Sequence, residues 1–368
     1  MYRPPPSPRP DAPPPPPTDD LTAARLAMVA RLEASGELRD PAVRAALSAV
    51  RREVLLPRAY VRRNEPGARP GVWQLLDGAH PEDRAEWSEV VHGGGSVLVQ
   101  HDGERVTAQR RGMVAGGRIT GLSSVVSMTV HTLQRLRLRP GLRLLELGTG
   151  TGVTAALAAH ILGPGAVTSV ESDRHLADAA RARLDALGSG VRVVTADGLD
   201  GCPDGAPYDR VLSTFAVPYV PRAWLAQLAD GGLLLTTVAT TSSSWSGEAV
   251  VRRRGRRLEA TLEGRAAGHL PVAGHRLPYA GEHRHLVGRG PVRRRTARVP
   301  TAELDAHGYR GCSQCTGLQP GGEANLRTAL TSAVSTDPHC SPEPGSERPV
   351  LLLDVLLHDA ERRAADGP

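Results

Sequence analysis

Leu145-Glu146-Leu147-Gly148-Thr149-Gly150-Thr151-Gly152 is the stretch that decides the fold. It follows an apolar run that opens at Leu142 and precedes a helical run, Val153 to Leu162. That order predicts a strand, a glycine-rich turn and a helix. Glycine carries no Cβ, so the backbone amides of such a turn can approach a ligand closely. The helix behind it adds unpaired N–H donors and a partial positive charge.

The glycine spacing selects among ligands. A dinucleotide fingerprint, G-x-G-x-x-G, needs its third glycine where Val153 stands. The run here is G-x-G-x-G, preceded by the acid Glu146. It resembles motif I of the S-adenosylmethionine-dependent methyltransferases. That resemblance implies a cofactor turn of Glu146, Gly148, Thr149, Gly150, Thr151 and Gly152.

The segments around the turn alternate. Strands are predicted at Leu142–Leu147, Val167–Val170, Val191–Thr195, Arg210–Phe215 and Leu233–Val238, with helices at about 153–162, 173–187 and 219–229. This rhythm argues for an α/β, doubly wound, Rossmann-like parallel sheet covered on both faces. Ligands bind beyond the carboxyl ends of such strands. Two more acids stand there. Glu171, followed by Ser172, ends the second strand about 20 residues past the turn, where an acid suits a pair of ribose hydroxyls. Its alternative role is to face the next helix dipole. Asp197-Gly198 ends the third strand; Asp197 is placed to accept from an exocyclic amine, or simply to form an Asp-Gly turn.

Upstream, residues 1–20 are proline-dominated and cannot bury a core. A helix is expected over Leu21–Leu38 with Asp20 as its cap, and a second from Asp40 and Pro41 to about Val50. A polar insertion follows from about Arg62 to His92. Val97–Gln100 and Arg105–Gln109 flank Asp102-Gly103 and predict a hairpin. Ala249–Arg252 and Leu258–Leu262 predict another around Arg253–Arg257. The expected organisation is a tail (1–20), N-terminal helices with an insertion (21–118), a sheet domain (119–281) and a small C-terminal extension (282–368).

Composition bounds the function. The 368 residues carry a net charge of +6 and no lysine, so all 45 basic residues are arginine. The bias of a GC-rich genome explains that as well as a nucleic-acid footprint does; the clusters Arg252–Arg257 and Arg293–Arg295 read as solvated strand ends or loops. No apolar run has the length of a membrane span, and no secretory signal or disulfide framework is visible, so the expectation is a cytoplasmic protein without membrane or nucleic-acid partners. Cys312-x-x-Cys315 with His339-Cys340 lacks the spacing of a zinc site, and no metal is expected.

The resemblance narrows further. Pro140-Gly141 through Gly152, Ala196-Asp197-Gly198, Pro207-Tyr208-Asp209-Arg210 and Val50-Arg51-Arg52-Glu53-Val54-Leu55-Leu56-Pro57 are similar to motifs of the protein-L-isoaspartate O-methyltransferases. The match runs over about residues 41–240. It implies S-adenosylmethionine as cofactor and an aspartyl or isoaspartyl carboxylate of a peptide or protein as methyl acceptor. In that family a Ser-Gln-Pro segment lines the substrate pocket. Here Ser124 keeps the serine, while Val125 and Val126 replace the glutamine and proline. Ser124, or its neighbour Ser123, is the expected substrate-orienting residue; the alternative is that both cap a helix. His131 is expected to pack. Glu86-Trp87-Ser88-Glu89-Val90-Val91 and Val97-Leu98-Val99-Gln100 resemble relatives encoded with ribosomal-peptide maturation systems, which methylate an aspartate of a modified precursor peptide whose ester then collapses to an aspartimide. Protein repair is the competing role, RNA methylation a more distant one. A Thr214-Phe215-Ala216-Val217-Pro218 run after the fourth strand speaks against amino-group methylation of nucleic acid.

Overall fold

A computed structural model describes residues 19–217, 220–238, 247–255, 257–263 and 294–300. The chain opens with α1 (Asp19–Ala34), α2 (Pro41–Ala49) and α3 (Arg52–Leu55). Asp40 caps α2 as predicted: its Oδ1 accepts from Ala42 N at 2.8 Å and Val43 N at 3.3 Å, with Pro41 in the first turn. Helix α1 departs from expectation. Asp20 lies inside its first turn and is not its cap. The helix stops at Ala34, because Gly36 turns left-handed (φ +72°) and Leu38 N returns to Leu32 O.

The polar insertion is a sheet. Strands β1 (Arg58–Arg62), β2 (Val72–Asp77), β3 (Val97–His101), β4 (Gly112–Ala115) and β5 (Ile119–Ser123) pair antiparallel in the order β4-β2-β1-β3-β5, with α4 (Arg84–His92) between β2 and β3 in sequence. The hairpin predicted across Asp102-Gly103 does not form. Asp102 and Gly103 do adopt the left-handed turn (φ 49° and 67°), but β3 pairs with β1 and β5. Val106–Ala108 makes a 3-10 turn instead. Val106 is buried, and the Gln109 side chain folds back to Val99 O at 2.7 Å, so the segment crosses the sheet rather than joining it.

Helix α5 (Val126–Leu136) leads into the second sheet. Its elements are β6 (Leu144–Leu147), α6 (Val153–Leu162), β7 (Val167–Glu171), α7 (Arg174–Ala186), β8 (Arg192–Thr195), β9 (Tyr208–Val217), α8 (Arg222–Ala226) and β10 (Leu228–Val238), then β11 (Gly247–Arg254), β12 (Arg257–Glu263) and β13 (Arg294–Pro300). The order is β13-β12-β11-β10-β9-β6-β7-β8. Strands β8, β7, β6, β9 and β10 run parallel, and β11, β12 and β13 add antiparallel strands at one edge. The predicted Rossmann-like sheet and the Arg253–Arg257 hairpin are thus present. Helix α8 is shorter than expected, since Leu228 already pairs with Tyr208 and the Asp230-Gly231-Gly232 run becomes a bulge within β10. Strand β13 comes from the segment expected to stand apart, and it completes the sheet edge. Cys312, Cys315, His339, Cys340 and the apolar run 350–357 lie outside the described residues, as does the proline-rich tail.

The sheet is apolar on both faces, as parallel strands require. Leu144, Leu212, Leu233 and Leu235 pack with α6, α7 and the N-terminal helices; Leu145, Leu147, Val211 and Leu234 pack with Trp224 and Leu225. Side chains alternate along a strand, so adjacent Leu144 and Leu145 face opposite cores. Each fully buried leucine contributes roughly 1.5–3 kcal/mol.

Candidate active site

The carboxyl ends of β6, β7, β8 and β9 and the end of β5 converge on the glycine turn. Gly148, Gly150 and Gly152 all have positive φ (93°, 53° and 83°). Two of them are also crowded. A Cβ on Gly148 would stand 2.5 Å from Thr214 Oγ1 and 3.0 Å from Phe215 Cδ1, and one on Gly152 would stand 3.1 Å from Leu184 Cδ1. Gly150 is different: its nearest contact would be Leu122 O of β5 at 3.6 Å, so space remains above it. The turn is pinned by Gly148 N to Val170 O at 2.8 Å and Gly152 N to Thr149 O at 2.8 Å.

Glu171 meets this turn directly. Its Oε2 accepts from Gly150 N at 2.8 Å and its Oε1 from Asp173 N at 3.0 Å. Burial raises its pKa, and the donors of Asp173 and Gly150 oppose that rise. Ser172 beside it is exposed. Asp173 caps α7 through His175 N and Leu176 N, and Gln100 Nε2 of β3 reaches its Oδ2 at 3.0 Å, tying the first sheet to this strand end.

Glu146 is placed otherwise. It is fully enclosed, and Ser169 Oγ donates to its Oε2 at 2.5 Å, with Thr149 Oγ1 2.6 Å from the same serine. Burial, aided by the charge of Glu171 and countered by Ser169, pushes its pKa up to about 8. Glu146 is tied to the turn through Ser169 and Thr149, and its side chain is fully buried. Thr149 and Thr151 are themselves buried.

Asp197 is exposed at the end of β8, and its Oδ1 accepts from Leu199 N at 2.9 Å, capping a short 3-10 turn. Gly198 is buried. A Cβ there would stand 3.1 Å from Phe215 Cζ, and its carbonyl accepts from Trp224 Nε1 at 2.8 Å. Phe215 therefore lies between the turns at Gly148 and Gly198, braced edge-on by Trp224 at 6.0 Å. Sequence reasoning did not assign Thr214 or Phe215 to the site. The available signal was that the chain has one phenylalanine, and it stands near the end of the fourth strand.

Ser123 ends β5 and is buried, with Arg52 Nη2 3.5 Å from its Oγ. Ser124 is half-buried. Neither serine caps α5: the cap position is Val125, which makes no side-chain bond, so the capping alternative is overturned. His131 is not packed away. Its side chain is 43% exposed and its Nε2 lies 3.5 Å from Glu248 Oε2, which Arg135 Nη1 also meets at 2.9 Å. Among the described residues no three potential metal ligands cluster, and no helix is long and apolar enough to cross a membrane.

These features fit an adenosyl cofactor. The turn leaves room above Gly150 alone, an acid stands beside it, and a second acid and an aromatic ring flank the next strand ends. Residues 114–264 match the family model of protein-L-isoaspartate(D-aspartate) O-methyltransferase (PCMT). A protein-L-isoaspartate O-methyltransferase of Ignicoccus hospitalis is 42% identical over 117 residues, 31% of this chain and 56% of that protein. One of Methylorubrum populi is 46% identical over 107 residues, 29% of this chain and 49% of its own length. The chain thus spans about half the length of these curated relatives. A solved structure of a protein-L-isoaspartate O-methyltransferase shares the fold at 21% identity and a TM-score of 0.50, covering 69% of this chain and 67% of that one. Over residues 114–264, the chain is thus similar to the protein-L-isoaspartate(D-aspartate) O-methyltransferase family.

Proposed function

We propose that the chain is an S-adenosylmethionine-dependent carboxyl O-methyltransferase acting on an aspartyl or isoaspartyl residue of a peptide or protein. The observation that carries this reading is the meeting of Gly150, Glu171 and the end of β5 at one point. The reading is supported by the approach of β5, which ends at Ser123 next to Ser124, to the glycine turn through Leu122 O. Gly148, Gly150 and Gly152 with Thr149 and Thr151 form the cofactor cradle, Glu171 and Ser172 hold the ribose side, and Asp197 and Gly198 hold the adenine side.

Bound there, the cofactor supplies an electrophilic methyl group on a sulfonium. The acceptor carboxylate is already ionised at neutral pH, since such groups titrate near about 4. No residue has to remove a proton. What the chain contributes is placement and exclusion of water. Ser124, with Ser123 behind it, orients the acceptor by hydrogen bonding. Phe215 and the first sheet wall the cleft.

We further infer a biosynthetic role in the cytoplasm: methylation of an aspartate in a modified ribosomal precursor peptide. In the resulting ester, the neighbouring backbone nitrogen attacks the carbonyl and methanol leaves, giving an aspartimide. Two features support this over protein repair. Much of the first sheet precedes the matched residues 114–264, and Val125 and Val126 replace the family's glutamine and proline.

Equilibrium binding of S-adenosylhomocysteine, followed by methyl transfer to an isoaspartyl peptide and its aspartyl twin, tests the proposal. Cofactor binding with transfer to neither peptide favours a dedicated precursor. Absence of cofactor binding contradicts the methyltransferase reading.

A further inference from the structure

Arg52, the first residue of α3, is only 3% exposed. Its Nε donates to Val91 O at 2.9 Å and its Nη2 reaches Ser123 Oγ at 3.5 Å. Burial lowers its pKa to about 10, which leaves it charged at neutral pH. Among the described residues no carboxylate pairs with it. The adjacent Glu53 faces away: its Oε1 takes Arg25 Nη1 at 2.8 Å, and its Oε2 lies 3.8 Å from His92 Nε2. His92 supplies no negative charge, and burial, together with Arg52, Arg25 and Arg31, holds its pKa down at about 4.

A buried cation without a counter-ion is costly and seldom kept for packing alone. Its position suggests the missing partner. Ser123 follows Leu122, whose carbonyl is the atom nearest the open side of Gly150. Arg52 thus reaches the last residue of β5, the strand whose Leu122 carbonyl faces Gly150. Its planar fork matches a carboxylate in two-point contact. Hydrogen bonds to Val91 O and Ser123 Oγ would equally tie α4 to β5, but that structural role needs donors only and no charge.

We propose that Arg52 is a carboxylate receptor of this site, its counter-ion arriving with a ligand. The inference rests on the methyltransferase reading above. Two carboxylates could fill the role: the amino-acid carboxylate of the cofactor, or a carboxylate of the acceptor peptide.

The test compares wild type, Arg52→Met and Arg52→Lys, each checked for folding by circular dichroism. The probes are S-adenosylhomocysteine, 5′-methylthioadenosine (the same nucleoside without the amino-acid carboxylate) and an acceptor peptide. If the cofactor supplies the anion, Arg52→Met weakens S-adenosylhomocysteine binding about tenfold or more and leaves methylthioadenosine unchanged. If the peptide supplies it, homocysteine-ligand affinity holds and the peptide KM rises about tenfold at steady kcat. A folded Arg52→Met with all three unchanged overturns the proposal. Should Arg52→Met not fold, Arg52→Lys decides: it keeps the charge and loses the fork, so a shift of several-fold confined to one carboxylate ligand supports the proposal, and no shift overturns it. Wild type that binds neither nucleoside counts against the methyltransferase reading instead.

Discussion

The backbone N–H of Gly150 and the carboxylate of Glu171 meet at 2.8 Å, joining the turn after β6 to the end of β7. This contact sets the acid at the mouth of the turn, where ribose hydroxyls would replace or share it. Glu171→Gln keeps the shape and removes the charge. It should weaken S-adenosylhomocysteine binding about tenfold or more, because hydrogen bonds to a charged acceptor contribute roughly 1.5–3 kcal/mol. Calorimetric titration reads this, and unchanged affinity would remove Glu171 from the cofactor site.

Gly148 and Gly150 should respond differently to alanine. At Gly148 the added Cβ meets Thr214 Oγ1 at 2.5 Å on top of a positive φ, so Gly148→Ala should lose about 1–3 kcal/mol of stability. At Gly150 the left-handed φ applies but there is room, so Gly150→Ala should cost less than Gly148→Ala, about 1–2 kcal/mol, while cutting cofactor affinity more strongly. Chemical denaturation alongside ligand titration separates the two. Equal stability losses would contradict the open side assigned to Gly150.

Glu146 and His92 give stability two opposed pH slopes. Burial raises Glu146 from 4.5 to about 8, so the folded chain holds a proton that the unfolded chain releases, and stability falls as pH rises between those values. His92 is lowered from 6.5 to about 4, so the unfolded chain binds the extra proton, and stability is lost as pH falls through that window. Denaturant titrations should find that Glu146→Gln flattens the decline between about pH 6.5 and 8. His92→Gln should leave the Glu146 decline unopposed between about pH 4.5 and 6.5, where the two slopes otherwise offset. A slope unaltered by Glu146→Gln would mean that the carboxyl is ionised in the fold.

Ser124→Ala should raise the peptide KM several-fold, the loss of about 1 kcal/mol expected for one hydrogen bond. Cofactor affinity should stay the same, since Glu171 and the glycine turn carry it. A fall in cofactor affinity with unchanged peptide KM would assign Ser124 to the cofactor instead.

The parallel half of the fold was legible because its strands are buried on both faces and punctuated by glycine and aspartate. Leu142–Leu147 and Val167–Val170 read as apolar runs, and the acids Glu171 and Asp197 fell at or just past strand ends. The first sheet was not legible. Val72–Asp77 and Gly112–Ala115 are short and half-exposed, with tryptophan, glutamine and glycine at positions where alternation would have shown. Asp102-Gly103 gave a true turn but the wrong partner, since register depends on β1, β3 and β5 meeting at long range. At the site, Glu146 was read as part of a cofactor motif, and only the fold reveals that it is fully buried and bonded to Ser169. Phe215 escaped notice because its role arises from packing against Gly148, Gly198 and Trp224, which lie far apart in sequence. Arg52 escaped as well, because its lack of a carboxylate partner among the described residues is a property of the folded chain alone.

Mass spectrometry of an isoaspartyl peptide and its aspartyl twin, incubated with the protein and S-adenosylmethionine, tests the central claim most directly. The account predicts an added methyl ester on a carboxyl group that is lost again, as methanol, when the ester closes to the cyclic imide. Methylation of a nitrogen of either peptide in place of a carboxyl group would contradict it.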